Sequence, residues 1–383
     1  MSRGLGDVYK RQALPRGVDE IAFTPVKVRS ALEDPRTQAW PMGDAADPPT
    51  GESEAGIDAV KLAEAVDLAF ADPVDRTAAF LVVHRGRIVA ERYAPGTHRD
   101  TQLESWSMGK SLTATLIGRL IQQGLLSLDA PAPISEWQSP DDPRRRITVA
   151  DLLRMSSGLD FSGASESLIQ MLLFGIPDHL WVYTGIEDVF GFSLSRPAGH
   201  PPNRVGRYRN CDPLALGAIL RRTVESVGEQ YLSWPQRALF DRIGIRRQVL
   251  ETDVRGNFIL SGFDYGTARN WARLGLLYLR DGVWNGERLL PEGFVRFVAS
   301  PAPAWDEPIY GGAFWVNGTG RYSLPLETFY MSGNGVQRVF VVPSHDLVIV
   351  RLGHTRGGAT ADTNLRAAQS LILEAIGASE DPA

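Results

Sequence analysis

The sequence predicts an α+β protein: an antiparallel sheet assembled from both ends of the chain, flanked by helices, with a mostly helical lobe beside it. Three observations predict this. Apolar residues follow strand-like patterning around residues 79–93 and again over 312–352, whereas the stretch between shows helical spacing or loops. At 383 residues, 43% hydrophobic and 22% charged, the chain has the length and composition of a globular protein with a sizeable core. No internal repeat or long low-complexity segment interrupts it.

Taken in order, residues 1–55 are rich in Pro, Asp, Glu, Gly and Arg with little periodicity, and are expected to form an irregular N-terminal extension. No charged n-region with an apolar run after it is visible, and Met1–Gln12 joins abruptly to the residues beyond it, so nothing is concluded about export. Residues 57–71 carry Val60, Leu62, Val66, Leu68 and Phe70 at helical spacing. Residues 79–83, the pair Arg85-Gly86 and residues 88–93 read as a β-hairpin. A helix starts near Ser107 and stops at Gly124. Further helices are expected at 148–155, 166–174, 213–227, 231–240, 268–279 and 291–298. Period two returns in strands at 312–317, 327–331, 336–342 and 347–352, and a helix over 363–376 closes the chain. The expected domain therefore spans 56–380, with an α/β lobe from 56–103 and 304–380 and a helical lobe from 104–303.

Composition excludes several classes of function. Net charge is −5, and no Lys/Arg block tracks a phosphate backbone, so nucleic acid is not an expected partner. No apolar run approaches the ~20 residues of a spanning helix. The six histidines are scattered without paired spacing, so neither a metal site nor a cofactor is expected. The single cysteine, Cys211, excludes an intramolecular disulfide.

The stretch Glu104-Ser105-Trp106-Ser107-Met108-Gly109-Lys110 carries the chemistry. Ser107 and Lys110 are three apart, one turn along a shared helix face. A serine hydroxyl needs something to take its proton, and a desolvated lysine of lowered pKa can do so. The first helical turn also places free N–H groups where an anionic intermediate would be stabilised. Of 40 basic residues only four are lysines (Lys10, Lys27, Lys61 and Lys110), leaving 40 − 4 = 36 arginines. Arginine does not release its proton in a protein and lysine can, so a lysine one turn from a serine stands out in this chain.

Two more stretches matter. Arg207-Tyr208-Arg209-Asn210 offers a phenol whose pKa a nearby ammonium would lower, and an amide able to accept from the lysine and donate to a substrate carbonyl. Met331-Ser332-Gly333-Asn334-Gly335 is a strand end with small residues, where a substrate can approach and a backbone N–H can face that of Ser107. Alone, the first would be read as a capped loop and the second as a hairpin turn.

Together, in this order, these stretches resemble the serine β-lactamase and penicillin-binding-protein superfamily, best its class C-like branch of esterases and amide hydrolases such as 6-aminohexanoate-dimer hydrolase. Ser107-Met108-Gly109-Lys110 matches S-x-x-K and Tyr208-Arg209-Asn210 matches Y-x-N, while Ser332-Gly333-Asn334 falls at the end of K-T-G and the residue after. Residues 147–159, 239–245 and 267–275 are similar to further family segments, and the resemblance covers roughly residues 57–376. It implies a β-lactamase/transpeptidase-like fold, Ser107 as acylated nucleophile, Lys110 as its activator and Tyr208 as proton relay. It also implies that Asn210, Ser332 and Gly333 contact substrate and that the Ser107 and Asn334 N–H groups form the oxyanion hole. Which of Lys110 and Tyr208 takes the first proton stays open.

The departure is Met331, where β-lactamases and carboxypeptidases place a lysine that helps hold the substrate carboxylate. Losing such a contact costs roughly 1.5–3 kcal/mol, which disfavours β-lactams and D-Ala-D-Ala peptides and favours a small-molecule ester or amide substrate. Arg338 and Arg351 are read equally as substitutes for that cation or as solvated charges, and Trp181 and Tyr183 chiefly as core or lobe-interface aromatics, with the lining of an apolar pocket as the alternative. Two alternatives remain: a β-lactamase or D,D-carboxypeptidase, and a catalytically silent binding protein on the same fold. No G-x-S-x-G elbow supports an α/β-hydrolase.

Overall fold

In the computed structural model the described residues are 21–45, 56–162, 176–355 and 360–377. Six strands form an antiparallel sheet: β1 (Thr77–His84), β2 (Arg87–Tyr93), β8 (Trp315–Val316), β9 (Phe329–Gly333), β10 (Gln337–Val342) and β11 (Leu347–Gly353). Their order across the sheet is β2-β1-β11-β10-β9-β8. Early and late segments thus share one sheet, β1 lying directly against β11 with Leu81 opposite Val350.

Both faces of β1 are buried, and its period of two sorts them. Phe80 and Val82 join Phe340, Val342, Leu347 and Ile349 beneath α1 (Ala59–Ala69) and the C-terminal helix over Thr360–Ile376. Leu81 and Val83 face the other way with Val339, Val341, Val348 and Val350, into the larger core shared with the helices. These include α2 (Met108–Gln122), α3 (Val149–Leu153), α4 (Asp178–Thr184), α5 (Val189–Leu194), α6 (Cys211–Ser226), α7 (Ala268–Leu279) and α8 (Phe294–Ala299); the C-terminal helix is α9. Helix α7 lies against β1, β10 and β11, and α2 against α6 and β9. A three-stranded sheet is formed by β3 (Leu103–Glu104), β4 (Val249–Leu250) and β5 (Asp264–Gly266), with β5 in the middle.

Several expected elements differ. The helix expected over 231–240 is broken into 3-10 turns around a π-helical segment, Gln236–Phe240. Pro235 falls inside it, and proline disfavours helical continuity at the preceding residue. The strand expected over 312–317 shrinks to Trp315–Val316 because Ala313 is left-handed (φ 61°) and ends the extended run. Helices α4 and α5 and the hairpin β6 (Val283–Trp284) to β7 (Glu287–Arg288) were not anticipated. That hairpin turns on Asn285-Gly286, both at positive φ, a pair that signals such a turn. The helix expected at 166–174 lies outside the described residues. Residues 21–45 dock on the body: Arg273 Nε donates to the Pro41 carbonyl at 2.6 Å and its Nη2 to Asp44 at 2.8 Å.

Candidate active site

Ser107 is the N-cap of α2, and the helix turn places Lys110 beside it, with Nζ 3.0 Å from Ser107 Oγ. Helix α2 is buried on every side from Met108 to Leu120, unlike a surface helix with one apolar face. Lys110 is 1% exposed. Burial pushes its ammonium well below the ordinary lysine range, opposed only by the negative charge of Asp264. An amine of lowered pKa is able to accept a proton. Its Nζ donates to the Ser261 carbonyl at 2.6 Å, which anchors the amine beside Ser107.

Tyr208 leads into α6 from the opposite side. Its ring centroid lies 4.9 Å from Lys110 Nζ, and its hydroxyl meets the Ser107 side chain. The lowered phenol pKa expected from the sequence is not found: burial raises it, outweighing the Ser107 hydrogen bond. Tyr208 is therefore a phenol that can pass a proton, not a resident phenolate.

Asn210 is fully buried at the N-terminus of α6, and its Nδ2 donates to the His179 carbonyl at 2.7 Å. The lysine's acceptor is the Ser261 carbonyl rather than this amide, contrary to expectation. Among the described residues Asn210 Oδ1 has no hydrogen-bond partner. Burial, with Lys110 nearby, pushes the His179 imidazole down to about 3, so it is neutral beside the Tyr208 ring (centroids 5.8 Å apart).

Ser332, Gly333 and Asn334 sit where β9 turns into β10. A Cβ on Gly333 would run into the Ser105 carbonyl, so the glycine lets β9 lie directly against the segment carrying the nucleophile. Asn334 comes next, in the exposed turn. Met331 is 1% exposed in the core with Met108 and Leu112. Arg338 and Arg351, read as substrate cations or solvated charges, are neither: both are buried and donate to backbone carbonyls.

Sequence reasoning missed a second ring of residues. Tyr183 Oη donates to the same Ser261 carbonyl that accepts from Lys110, at 2.8 Å, and its ring packs on Phe263 and Trp106. Its ring packs against the core while its hydroxyl reaches the lysine's acceptor, whereas Trp181 is 38% exposed. Trp106 is held at φ 50°, a left-handed conformation unusual for a bulky side chain and found at the residue preceding Ser107. Ser105 Oγ donates to the fully buried Asp264 carboxyl behind α2, which burial pushes up to about 7. Only Ser105 and Trp106 carried a signal, through their place beside Ser107; Tyr183 on α4, Ser261 and Asp264 of β5 come from segments remote in sequence. Among the described residues no cluster of His, Cys, Asp and Glu could hold a metal ion, and no helix is long and apolar enough to cross a membrane.

Comparison with known proteins places these motifs. Residues 66–374 match the family model described as Beta-lactamase. The chain is 26% identical over 302 residues to the 6-aminohexanoate-dimer hydrolase of Paenarthrobacter ureafaciens, covering 72% of each protein. Among solved structures, a family VIII carboxylesterase superposes with a TM-score of 0.61 at 15% identity, covering 82% of this chain and 99% of that one. A penicillin-binding-protein homolog from Caulobacter crescentus gives 0.62 at 16% identity, covering 83% and 99%. At such identities these two likenesses show the fold.

Proposed function

Because the chain belongs to the β-lactamase family, we propose that it is a serine hydrolase that cleaves an ester or small amide through a Ser107 acyl-enzyme. The observation that carries this reading is the buried Lys110 amine 3.0 Å from Ser107 Oγ. The relative named for amide hydrolysis and the neighbour named as a carboxylesterase support the substrate class.

In this reading Ser107 Oγ attacks the substrate carbonyl carbon while Lys110 Nζ takes its proton. The carbonyl π-electrons move onto oxygen, and the N–H groups of Ser107 and Asn334 stabilise the resulting anion. Collapse re-forms the carbonyl and breaks the bond to the leaving group. That group receives a proton through the Tyr208 phenol, which Lys110 reprotonates. Water, deprotonated by the same pair, then attacks the acyl carbon and releases Ser107. Tyr183 and the Ser261 carbonyl hold the lysine in place throughout.

The test is labelling by a fluorophosphonate probe together with intact-protein mass after brief exposure to p-nitrophenyl esters, small amides and a chromogenic β-lactam. Labelling and an acyl mass gain that vanish in Ser107→Ala are expected, with esters or amides turned over faster than the β-lactam. An unlabelled wild type would sink the proposal, and preferred β-lactam turnover would overturn the substrate class.

A further inference from the structure

Three residues, Asn334-Gly335-Val336, join β9 to β10 between the paired Gly333 and Gln337. Gly335 (φ 75°) and Val336 (φ 63°) are both left-handed. Glycine adopts that region freely, whereas a β-branched valine does so only where its surroundings over-determine it.

Those surroundings are two guanidinium groups. Arg338 and Arg351 face one another across β10 and β11, a like-charged pair at 8% and 2% exposure. Buried charges of one sign repel and demand partners; here most of the donors go to main-chain carbonyls. Arg351 Nη1 donates to Gly335 O at 3.1 Å and Val336 O at 2.8 Å. Its Nη2 donates to Asp75 O at 2.6 Å and Thr355 Oγ1 at 3.0 Å. Arg338 Nη1 donates to Gly333 O at 3.0 Å and Gln337 O at 2.8 Å, and its Nε to Tyr322 Oη at 2.9 Å. The carbonyls on both sides of Asn334 are thus clamped. A planar fork that meets two carbonyls at once can do this, and a lysine ammonium is a single point of attachment.

We propose that Arg351, seconded by Arg338, is a positioning residue: it holds the strained Asn334–Val336 turn so that the Asn334 N–H stays aimed at the oxyanion formed on Ser107. This rests on the acyl-enzyme reading. Gly333 already touches the Ser105 carbonyl two residues before the nucleophile, so a tilt of this turn moves the donor against the reacting atom. Arg351 acts through the backbone and touches no substrate.

Full-length Arg351→Met and Arg351→Lys are compared with Arg273→Met, an equally buried arginine that instead anchors residues 41–44. Active sites are counted with fluorophosphonate, and kcat and KM are measured on p-nitrophenyl acetate. Loss of a whole oxyanion donor costs about 10²–10³ in kcat, so a misaimed one is expected to cost about 10–100-fold per titrated site in Arg351→Met, with KM little changed. Arg351→Lys falls between and serves alone if the methionine variant does not fold. Adding Val336→Gly, which removes the strain, restores most of the loss, while Arg273→Met lowers Tm and leaves kcat per titrated site unaltered. Unchanged kcat in both Arg351 variants, an equal loss in Arg273→Met, or no recovery with Val336→Gly would overturn the assignment. A wild type that takes up no probe would overturn the acyl-enzyme reading instead.

Discussion

Gly109, between Ser107 and Lys110, sets helix propensity against packing. In an exposed helix, alanine would gain about 1 kcal/mol over glycine. Here an added Cβ would stand 2.6 Å from Asp264 Oδ1 and 2.7 Å from the Leu260 carbonyl oxygen, where ordinary contact begins at 3.4 Å. The first turn of α2 must therefore retreat by 3.4 − 2.7 = 0.7 Å to 3.4 − 2.6 = 0.8 Å, because one obstacle is backbone and the other a fully buried carboxyl. Overpacking costs roughly 1–3 kcal/mol, so Gly109→Ala is expected to be destabilised by about 0–2 kcal/mol net despite its better propensity. The larger effect falls on activity. That retreat stretches the 2.6 Å bond from Lys110 to Ser261 and shifts Ser107 against the turn that carries Asn334. A displacement near 1 Å costs on the order of 10², so kcat/KM on a p-nitrophenyl ester is expected to fall about 10–100-fold. Gly118→Ala, on the same helix, meets only side-chain ends at 2.9 Å from Leu290 and Phe294 and should leave kcat unchanged. A Gly109→Ala enzyme with wild-type kcat/KM and a raised Tm would refute the reasoning.

The remaining predictions concern charge and access. Lys110→Met removes the base and Lys110→Arg supplies a cation that keeps its proton; both should lose at least about 10³ in kcat, and one-tenth of wild-type activity in the arginine variant would exclude lysine as base. The Asp264 carboxyl is raised from 3.8 to about 7, so the folded state holds its proton more tightly than the unfolded one. Its stabilising contribution is complete below pH 3.8 and is lost as pH rises through 7, amounting to on the order of 4 kcal/mol at most. Urea unfolding of Asp264→Asn should show a correspondingly smaller decline between about pH 4 and 8, and parallel curves for the two proteins would contradict this. Cys211 is fully buried, and burial beside Asp212 drives its thiol well above the ordinary range. It should be inert to a thiol reagent in the native state and react once the chain is unfolded; rapid native labelling would contradict its placement.

The legible part of the site was the local part. Ser107 and Lys110 meet because three residues make nearly one turn of helix, a relation that holds wherever that helix is placed. The strand pattern at both ends likewise carried the sheet, since a period of two survives burial on either face, as Phe80 and Leu81 show by entering different cores. Misreadings came where a residue's neighbour in space is remote in sequence. Tyr183 looked like a core aromatic until its hydroxyl was seen on the Ser261 carbonyl, 78 residues away. Arg338 and Arg351 looked like substrate cations or solvated charges because nothing in their own strands says that the turn between β9 and β10 will supply carbonyls for them. Tyr208 carries the residue type expected, but the direction of its pKa depends on how dry its surroundings are.

The sequence by itself therefore determined that Ser107 and Lys110 share one turn of helix, that both ends of the chain supply the sheet, and the family to which the chain belongs. Spacing along one backbone geometry and a rare lysine among arginines suffice for that. Only the tertiary structure decided that the amine is dry enough to act as a base, that a serine carbonyl orients it, and that two buried arginines grip the turn opposite. Each of these depends on which groups exclude water from which others, and that is a property of packing between segments that no local pattern encodes.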